Sequence, residues 1–418
     1  MTPSVSGQPW FEAPALRRIF ALLNAEGGEV RVVGGAVRNA LMGHAVTEVD
    51  LATTLRPEEV VARAEAAGIK TVPTGIAHGT VTLVIDGEPF EVTTLRRDVT
   101  TDGRHAEVAF GTDWTVDAHR RDLTINALYA DAQGRVIDLV GGIEDLEKQL
   151  IRFIGEASER VREDYLRVLR FFRFFAWYGR GRPDADGLRA SARAKDKLST
   201  LSAERIWSEL KKLLSAEDPT RALLWMRQAG VLTAVLPESE KWGIDTIPGL
   251  VSAERASGFA PDPLLRLAAM VPPDPERLAA MAARLRLSKA EAAFFQSWAA
   301  AKPIADRMAE TALDRQLYME GATGTMARLK LAIATLLPKV EGESDGLERL
   351  GHLQRLLTRA KAWTRPRFPL SGADVVLAGV PSGPQVGVKL AMLEAHWVAG
   401  NFQEGREALL ERLKASLN

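Results

Sequence analysis

The sequence predicts an α+β head that ends near residue 137, followed by a long all-α region. Up to that point, short runs rich in β-branched residues mix with helical runs. Beyond Gly141 and Gly142, Ala, Leu, Arg and Glu dominate and β-branched runs nearly vanish. The length of 418 residues corresponds to two to four packed units at roughly 100–200 residues per domain, and a hydrophobic fraction of 46% is ample for their cores.

Strand and helix signals follow one another along the head. A Gly-Gly turn joins a first strand to a short helix, a second strand follows, and the next helix has Pro near its first turn. Two further runs flank Asp86 and Gly87, a dipeptide typical of a two-residue hairpin turn, and so predict paired strands. The predicted strands are 29–33, 49–52, 80–85 and 90–95, and the predicted helices are 36–42 and 57–67.

In the region beyond the head, apolar residues recur at the spacing of one helix face. The stretch 158–178 carries them at positions 161, 165, 168/169, 172 and 175/176, which predicts one helix over its whole length. Breaks rich in Pro and Gly divide the remainder. Further helices are predicted at 203–214, 219–228, 263–270, 274–285, 289–300 and 326–337.

The composition argues against several classes of protein. Without cysteine there can be no disulfide framework, no thiolate nucleophile and no Cys-ligated zinc or iron–sulfur cluster. Residues 1–8 lack a basic segment followed by an apolar run, and nowhere are 18 consecutive residues apolar. We therefore expect neither secretion nor membrane spanning, and a cytoplasmic location. Equal numbers of basic and acidic side chains, 54 each, argue against a strongly basic protein that coats nucleic acid.

Acidic side chains in the head predict a divalent-cation site. Glu48 and Asp50 stand at positions i and i+2 of a predicted strand, so both project from the same face. Glu91, on the return strand of the hairpin, can add a third carboxylate from a neighbouring strand. Converging carboxylates repel one another, and Mg²⁺ prefers such oxygen ligands together with substrate phosphates. The pattern indicates phosphoryl or nucleotidyl transfer, although an acid-x-acid pair alone is more often an exposed part of a strand or turn.

A glycine turn precedes this acidic pair by about a dozen residues. Gly34 and Gly35 join a strand to a helix, where glycine lets the backbone approach a phosphate, and Arg38 adds a bidentate cation one turn later. The alternative is an ordinary turn with glycine for conformational reasons. The segment is neither a G-x-G-x-x-G motif nor a Walker loop, which disfavours dinucleotide-binding and P-loop proteins.

These residues are the first of several motifs that together resemble a known family. Gly34-Gly35-x-x-Arg38 and the acid-x-acid run resemble the head of class II nucleotidyltransferases, the tRNA CCA-adding enzymes and their bacterial poly(A) polymerase relatives. The other motifs occur in the family's order, cover the chain to about residue 210, and recur more weakly near the C-terminus. They stand at 91–96, 101–105, 120–128, 138–142, 163–170, 201–206 and 368–387.

The resemblance implies a polymerase β-like nucleotidyltransferase head and an all-α C-terminal region. It implies Mg²⁺ held by Glu48 and Asp50, with Glu91 as a candidate third acid. The family commonly has Asp at the positions of Glu48 and Asn39, and the extra methylene of Glu48 moves its carboxylate by roughly 1.5 Å. The implied parts are a catalytic head at 1–137, a helical neck at 138–215, a helical body at 216–365 and a tRNA-binding helical tail at 366–418.

The resemblance and the side-chain chemistry together predict a nucleotide site. Asp164 can accept from an exocyclic amine while Arg167 donates to a ring nitrogen or carbonyl, which suits cytosine and adenine but not uracil or guanine. The alternative is an ordinary surface ion pair between these two residues, which are spaced i and i+3. We expect triphosphate and ribose contacts from Gly34, Gly35, Arg38, Arg120, Arg121, Asp122, Arg170 and Arg173.

The resemblance thus predicts a template-independent RNA nucleotidyltransferase that adds or repairs the 3′-terminal CCA of tRNA from CTP and ATP by two-metal-ion catalysis. A poly(A) polymerase is disfavoured, because those relatives usually carry a Gly-Arg/Lys-Arg/Lys-Phe signature where this chain has the unrelated segment 75–80. An enzyme that adds only CC or only A stays open. So does a catalytically silent tRNA-binding protein in which Glu48 reflects a lost site. The sequence leaves the oligomeric state undetermined.

Overall fold

The computed structural model describes residues 3–76, 79–102, 105–342 and 344–417. Two segments considered above therefore lie partly outside the described residues, at Ala77, His78, Gly103 and Arg104. The chain divides into two compact units, Met1–Val235 and Leu236–Asn418. Within the described residues the first unit combines a sheet with helices and the second is helical, which confirms the predicted fold class. The finer division at residues 137, 215 and 365 stays a prediction.

A seven-stranded sheet forms the centre of the head in the described part of the first unit. The strands β1 to β9 are Val30–Val33, Asp50–Thr53, Lys70–Gly75, Thr80–Ile85, Glu88–Thr94, Arg96–Asp102, His105–Phe110, Leu128–Ala130 and Val136–Asp138. The strand order of the sheet is β3-β4-β5-β2-β1-β8-β9, and β6 and β7 form a separate hairpin. The predicted strand 80–85 is confirmed at both ends, and the strands predicted at 29–33, 49–52 and 90–95 are confirmed with small shifts of their bounds.

The strand pairing brings the ends of β2 and β5 together. Strand β2 runs parallel to β5, with Leu51 opposite Val92, so Asp50 and Glu91 each stand one residue before a registered pair. Strand β4 turns back into β5 through Asp86 and Gly87, whose φ angles of 52° and 86° are those of a two-residue hairpin turn. Short-range turn chemistry and one parallel pairing thus determine where the acidic residues meet.

The helices of the first unit cover the sheet and continue beyond it. The helix Leu166–Tyr178 buries the side that carries Phe171, Phe172 and Phe175, so these aromatic residues are part of the core. Helices α1 to α11 are Pro14–Leu23, Gly35–Leu41, Pro57–Ala66, Trp114–Arg120, Gly142–Glu147, Ala157–Glu163, Leu166–Tyr178, Ala185–Ala194, Ala203–Leu214, Thr220–Gln228 and Val231–Val235.

The single helix predicted over 158–178 is wrong, because the chain breaks between α6 and α7. Asp164 has an extended backbone, with φ −152° and ψ 110°. Its Oδ1 accepts a hydrogen bond of 3.0 Å from the backbone N–H of Leu166. An aspartate side chain that satisfies the free N–H groups of a following helix competes with helix continuation, so the apolar periodicity runs unbroken across two helices.

The second unit is built from helices throughout its described residues. Helices α12 to α21 are Thr246–Ser257, Pro263–Ala268, Pro275–Arg284, Lys289–Ala300, Glu310–Glu320, Ala322–Leu336, Gly346–Ala362, Gly372–Leu377, Pro384–Ala399 and Arg406–Ala415. Helices α16, α20 and α21 share an apolar cluster that includes Tyr318, Leu393, Trp397 and Leu409. Among the helices that the structure describes, none is both long enough and apolar enough to cross a bilayer.

Candidate active site

Three carboxylates line one cavity at the end of the sheet. Asp50 is the first residue of β2, Glu91 lies on β5, and Glu48 stands in the segment just before β2 rather than within the strand. All three side chains are exposed and line a cavity of about 630 Å³ together with Trp10 and Thr82. The three acids predicted to converge therefore line the same cavity, and their role as metal ligands stays a prediction.

The electrostatics of the cavity are those of crowded negative charges. Partial removal from solvent raises the pKa of Asp50, and the charges of Glu91 and then Glu48 raise it further, while Arg121 lowers it. A divalent cation would relieve this repulsion, and an all-oxygen donor set suits Mg²⁺. Over residues 3–76, 79–102, 105–342 and 344–417, no group of three or more His, Asp or Glu side chains is placed to hold a metal ion by itself. Mg²⁺ commonly takes only one or two protein carboxylates and completes its coordination with waters and substrate phosphates.

The glycine turn lies beside the acids, because Val33 on β1 pairs with Asp50 on β2. Gly34 has φ 72° and ψ −113°, and a Cβ there would lie 3.4 Å from the backbone oxygen of Asn126. Positive φ with a nearby carbonyl makes glycine the residue that fits this position. The Gly34 oxygen accepts from the Arg38 backbone N–H at 3.0 Å, so the turn leads directly into α2.

Arg38 is buried, with 6% of its surface exposed, and joins α2 to the far end of α7. Its guanidinium donates to Asn126 Oδ1 at 2.5 Å, to the Tyr178 hydroxyl at 2.9 Å and to Asn39 Oδ1 at 3.0 Å. The Tyr178 ring also lies 4.2 Å from the guanidinium carbon, within the range of a cation–π contact. Burial lowers the pKa of Arg38, and the neighbouring Tyr178 opposes this effect.

A second network connects the head to α7 and α9. Arg170 donates to Asp122 Oδ2 at 2.6 Å, and Arg173 donates to Glu209 Oε2 at 2.6 Å. Both carboxylates are buried, and Asn126 donates to the other oxygen of Asp122 at 3.2 Å. Burial alone would raise the pKa of Asp122, but the charge and hydrogen bond of Arg170 outweigh it and hold this pKa at about 2. Asp122 is therefore ionised across the neutral range.

Arg120 and Arg121 both bind Asp117, which lies on α4, the helix that ends at Arg120. Arg120 Nε donates to Asp117 Oδ1 at 2.8 Å, and Arg121 Nη2 donates to Oδ2 at 2.9 Å. The Tyr129 hydroxyl donates to the same carboxylate at 2.9 Å. Although burial raises the pKa of Asp117, the two arginines lower it overall. These contacts anchor both guanidinium groups, and the influence of Arg121 on the pKa of Asp50 places it near the acids.

Asp164 and Arg167 do not pair with each other, so the ordinary i,i+3 ion pair is absent from this described helix junction. Asp164 Oδ2 accepts from Arg205 on α9 at 2.6 Å. Arg167 pairs with Glu163 and donates to the backbone oxygens of Arg160 and Arg120, each at 3.1 Å. Both side chains are held in place by partners other than each other.

Several residues of these networks were missed by sequence reasoning. Asp117 stands three and four residues before the two arginines, and this helical spacing could have revealed it. Asn126 lies inside the matched segment 120–128, and Glu209 lies three residues beyond the segment 201–206. Tyr178 carries no local signal, because it contacts Arg38 across 140 residues of sequence.

Two family models match parts of the chain. The poly A polymerase head domain matches residues 30–152, which contain the three carboxylates and the glycine turn. A model described as the probable RNA and SrmB-binding site of polymerase A matches residues 184–242.

Whole-length relatives and a solved structure are similar to the chain. The mitochondrial CCA tRNA nucleotidyltransferase 1 of Mus musculus is 34% identical over 409 residues, covering 96% of this chain and 89% of the relative. The CCA-adding enzyme of Enterococcus faecalis is 30% identical over 413 residues, covering 96% and 95%. The crystal structure of the Bacillus stearothermophilus CCA-adding enzyme in complex with CTP has a TM-score of 0.74 and 28% identity, covering 96% and 97%.

Proposed function

The chain belongs to the CCA tRNA nucleotidyltransferases, and from that premise we propose that it adds or repairs the 3′-terminal CCA of tRNA from CTP and ATP without a template. One observation carries the chemical part of the proposal. Asp50, Glu91 and Glu48 line one cavity, where partial burial and then the charges of Glu91 and Glu48 raise the pKa of Asp50. An exposed, crowded acidic site beside a glycine turn suits the transfer of a nucleotide from a metal-bound triphosphate.

The proposed reaction joins the 3′ oxygen of tRNA to the α-phosphorus of the nucleotide. The bond from that phosphorus to the oxygen that bridges to the β-phosphate breaks, pyrophosphate leaves with that oxygen, and the proton of the attacking hydroxyl passes to solvent water. Glu48 and Asp50 would hold Mg²⁺, with Glu91 as the third acid. By the two-metal scheme, the chemistry supplied with Mg²⁺ bound is a lower pKa of the attacking hydroxyl and neutralisation of phosphate charge.

We propose that the nucleotide's triphosphate and ribose contact two hydrogen-bond networks beside α7. One is centred on Arg38, and the other joins Asp122 to Arg170. Arg38 is a buried cation with neutral hydrogen-bond partners, which suits it to attract an anion. Asp122 is ionised, so it can accept from ribose hydroxyls while it orients Arg170. The full proposed set of nucleotide contacts is Gly34, Gly35, Arg38, Arg120, Arg121, Asp122, Asp164, Arg167, Arg170 and Arg173.

We propose that Asp164 and Arg167 choose the base. Each oxygen of Asp164 accepts one hydrogen bond in the fold, from Leu166 N–H or from Arg205, and a carboxylate oxygen can accept a second. The guanidinium of Arg167 is fixed by Glu163 and two backbone oxygens, which fixes the direction of its remaining N–H groups. A rigid acceptor beside a rigid donor matches the base edges of cytosine and adenine and rejects those of uracil and guanine.

The direct test incubates the purified chain with tRNA that ends before CCA, Mg²⁺ and each labelled nucleoside triphosphate, singly and in pairs. The proposal expects CMP addition from CTP, and AMP addition only after two CMP residues. Long adenylate tails would indicate a poly(A) polymerase, and arrest after CC or addition of A alone would indicate a partial enzyme. Binding of tRNA without incorporation would indicate a catalytically silent protein.

The metal assignment is tested by Asp50→Ala, which we expect to abolish incorporation while the circular dichroism spectrum stays that of the unchanged protein. The exposed Asp196, outside the proposed contacts, supplies the matched control Asp196→Ala, expected to keep full activity. Activity retained by Asp50→Ala would remove the metal assignment. We also propose a cytoplasmic location. The Mus musculus relative is a mitochondrial protein, so cell fractionation is the experiment that distinguishes the two locations.

A further inference from the structure

Asn39 connects three parts of the proposed active site. Its Oδ1 accepts from Arg38 Nε at 3.2 Å, from Arg38 Nη2 at 3.0 Å and from the Tyr178 hydroxyl at 3.2 Å. Its Nδ2 donates to the backbone oxygen of Ala45 at 3.1 Å, and its own backbone oxygen accepts from His44 N–H at 2.9 Å. Ala45 stands three residues before Glu48. Asn39 thus binds both the buried arginine and the segment that carries the first acid.

Only an amide side chain can make this set of contacts at neutral pH. Its oxygen faces two N–H donors and a hydroxyl, and its nitrogen faces a carbonyl, so the partners themselves fix which way the amide points. An ionised Asp at this position would accept from Arg38 but could not donate to Ala45. Its second oxygen would instead face a carbonyl oxygen and repel it. Asp at position 39 would therefore release the segment before Glu48.

The amide also leaves the charge of Arg38 uncompensated. The hydrogen-bond partners of the guanidinium are Asn39, Asn126 and Tyr178, which are all neutral, and Arg38 forms no ion pair within the described part of the chain. The charge of Asp122 raises the pKa of Arg38, but this carboxylate accepts its hydrogen bond from Arg170. An Asp at position 39 would place a negative charge directly on Arg38 and weaken its attraction for a triphosphate.

We infer that Asn39 is a positioning residue that works with Glu48 as a unit, in place of the two Asp residues common in the family. Asn39 holds the 44–45 backbone against α2, and the longer Glu48 side chain reaches the site from a backbone fixed in that way. The inference rests on the proposed nucleotidyl transfer. The inference goes beyond that proposed function, because Asn39 is assigned a positioning role and not a contact with metal or base.

The test is a double-mutant cycle of Asn39→Asp and Glu48→Asp, with kcat, the KM for CTP and the Mg²⁺ concentration for half-maximal rate measured on tRNA lacking CCA. We expect Asn39→Asp to raise the KM for CTP and the Mg²⁺ requirement, lowering kcat/KM by about tenfold, a loss typical of one charged or buried contact. The double variant should recover activity beyond the product of the two single effects, because a freed segment and a shorter acid compensate each other.

Asn24→Asp is the matched control, because Asn24 Oδ1 accepts from Val30 N–H at 2.8 Å, a contact that an Asp side chain also makes. It introduces the same charge and should leave kcat/KM and the Mg²⁺ requirement unchanged. If the two effects multiply in the double variant, or if Asn39→Asp behaves like Asn24→Asp, the inference is wrong. If the unchanged protein fails to add CMP, the proposed function fails instead, so the two failures are distinguishable.

Discussion

Replacing Asp122 with Asn removes the buried carboxylate that faces Arg170, and the pKa of Asp122 gives the size of the effect. This pKa is about 2 in the folded chain, against 3.8 for the free group. At about 1.36 kcal/mol per pKa unit, the folded-state contacts of the charged form contribute roughly 2.4 kcal/mol at neutral pH. Arg170 would keep only the more distant carboxylate of Glu209, at 3.9 Å, so the total cost can approach about 3–5 kcal/mol, the usual loss when one partner of a buried pair is removed.

The pH dependence of this contribution has a definite sign. Because the folded-state pKa lies below the unfolded value, the contribution is complete well above pH 3.8 and disappears as the pH falls towards 2. At pH 3 the same relation leaves roughly 1.3 kcal/mol, about half of the neutral value. The Asp122→Asn variant has no carboxylate to protonate at this position. The difference in the free energy of unfolding between the two proteins should therefore shrink as the pH falls.

Urea unfolding followed by circular dichroism, at pH 7, 4 and 3, measures this difference directly. Asp186→Asn is the matched control, because Asp186 forms an exposed i,i+3 pair with Arg189 and should change stability by no more than about 1 kcal/mol. A difference for Asp122→Asn that stays constant from pH 7 to pH 3 would refute the reasoning. So would a loss no larger than that of Asp186→Asn.

Three further predictions concern the same networks. Tyr178→Phe removes the hydroxyl between Arg38 and Asn39 but keeps the ring, so the free energy of unfolding should fall by about 1–3 kcal/mol in urea titrations, and an unchanged value would contradict the contact. Gly34→Ala forces a side chain into a positive-φ position, so it should cost about 1–3 kcal/mol of stability and raise the KM for CTP; an unaltered melting temperature would contradict this. Asp164→Asn adds a donor where the base amine would be accepted, so the preference for CTP over UTP, measured as a kcat/KM ratio, should fall by at least about tenfold, and an unaltered ratio would remove the base-reading role.

Local sequence patterns determined much of the fold because their physics is local. The hairpin of β4 and β5 follows from a dipeptide that accepts positive φ at both positions, and α9 and α15 follow from apolar spacing, each at its predicted bounds. The acidic pair and the glycine turn could likewise be predicted from the sequence, since each lies within a few residues of sequence. That the acids face one cavity required only the parallel pairing of β2 with β5.

The tertiary structure decided which charged side chains bind one another. The sequence predicts Asp164 beside Arg167 on one helix, yet the chain breaks at Asp164, and each residue finds another partner. Arg38 meets Tyr178 across 140 residues, and Asp122 meets Arg170 across 48. Hydropathy and spacing act between near neighbours, whereas a buried ion pair depends on how whole elements pack. The sequence by itself therefore determined the chemistry available, and the packing of α7 against the head decided how that chemistry is arranged.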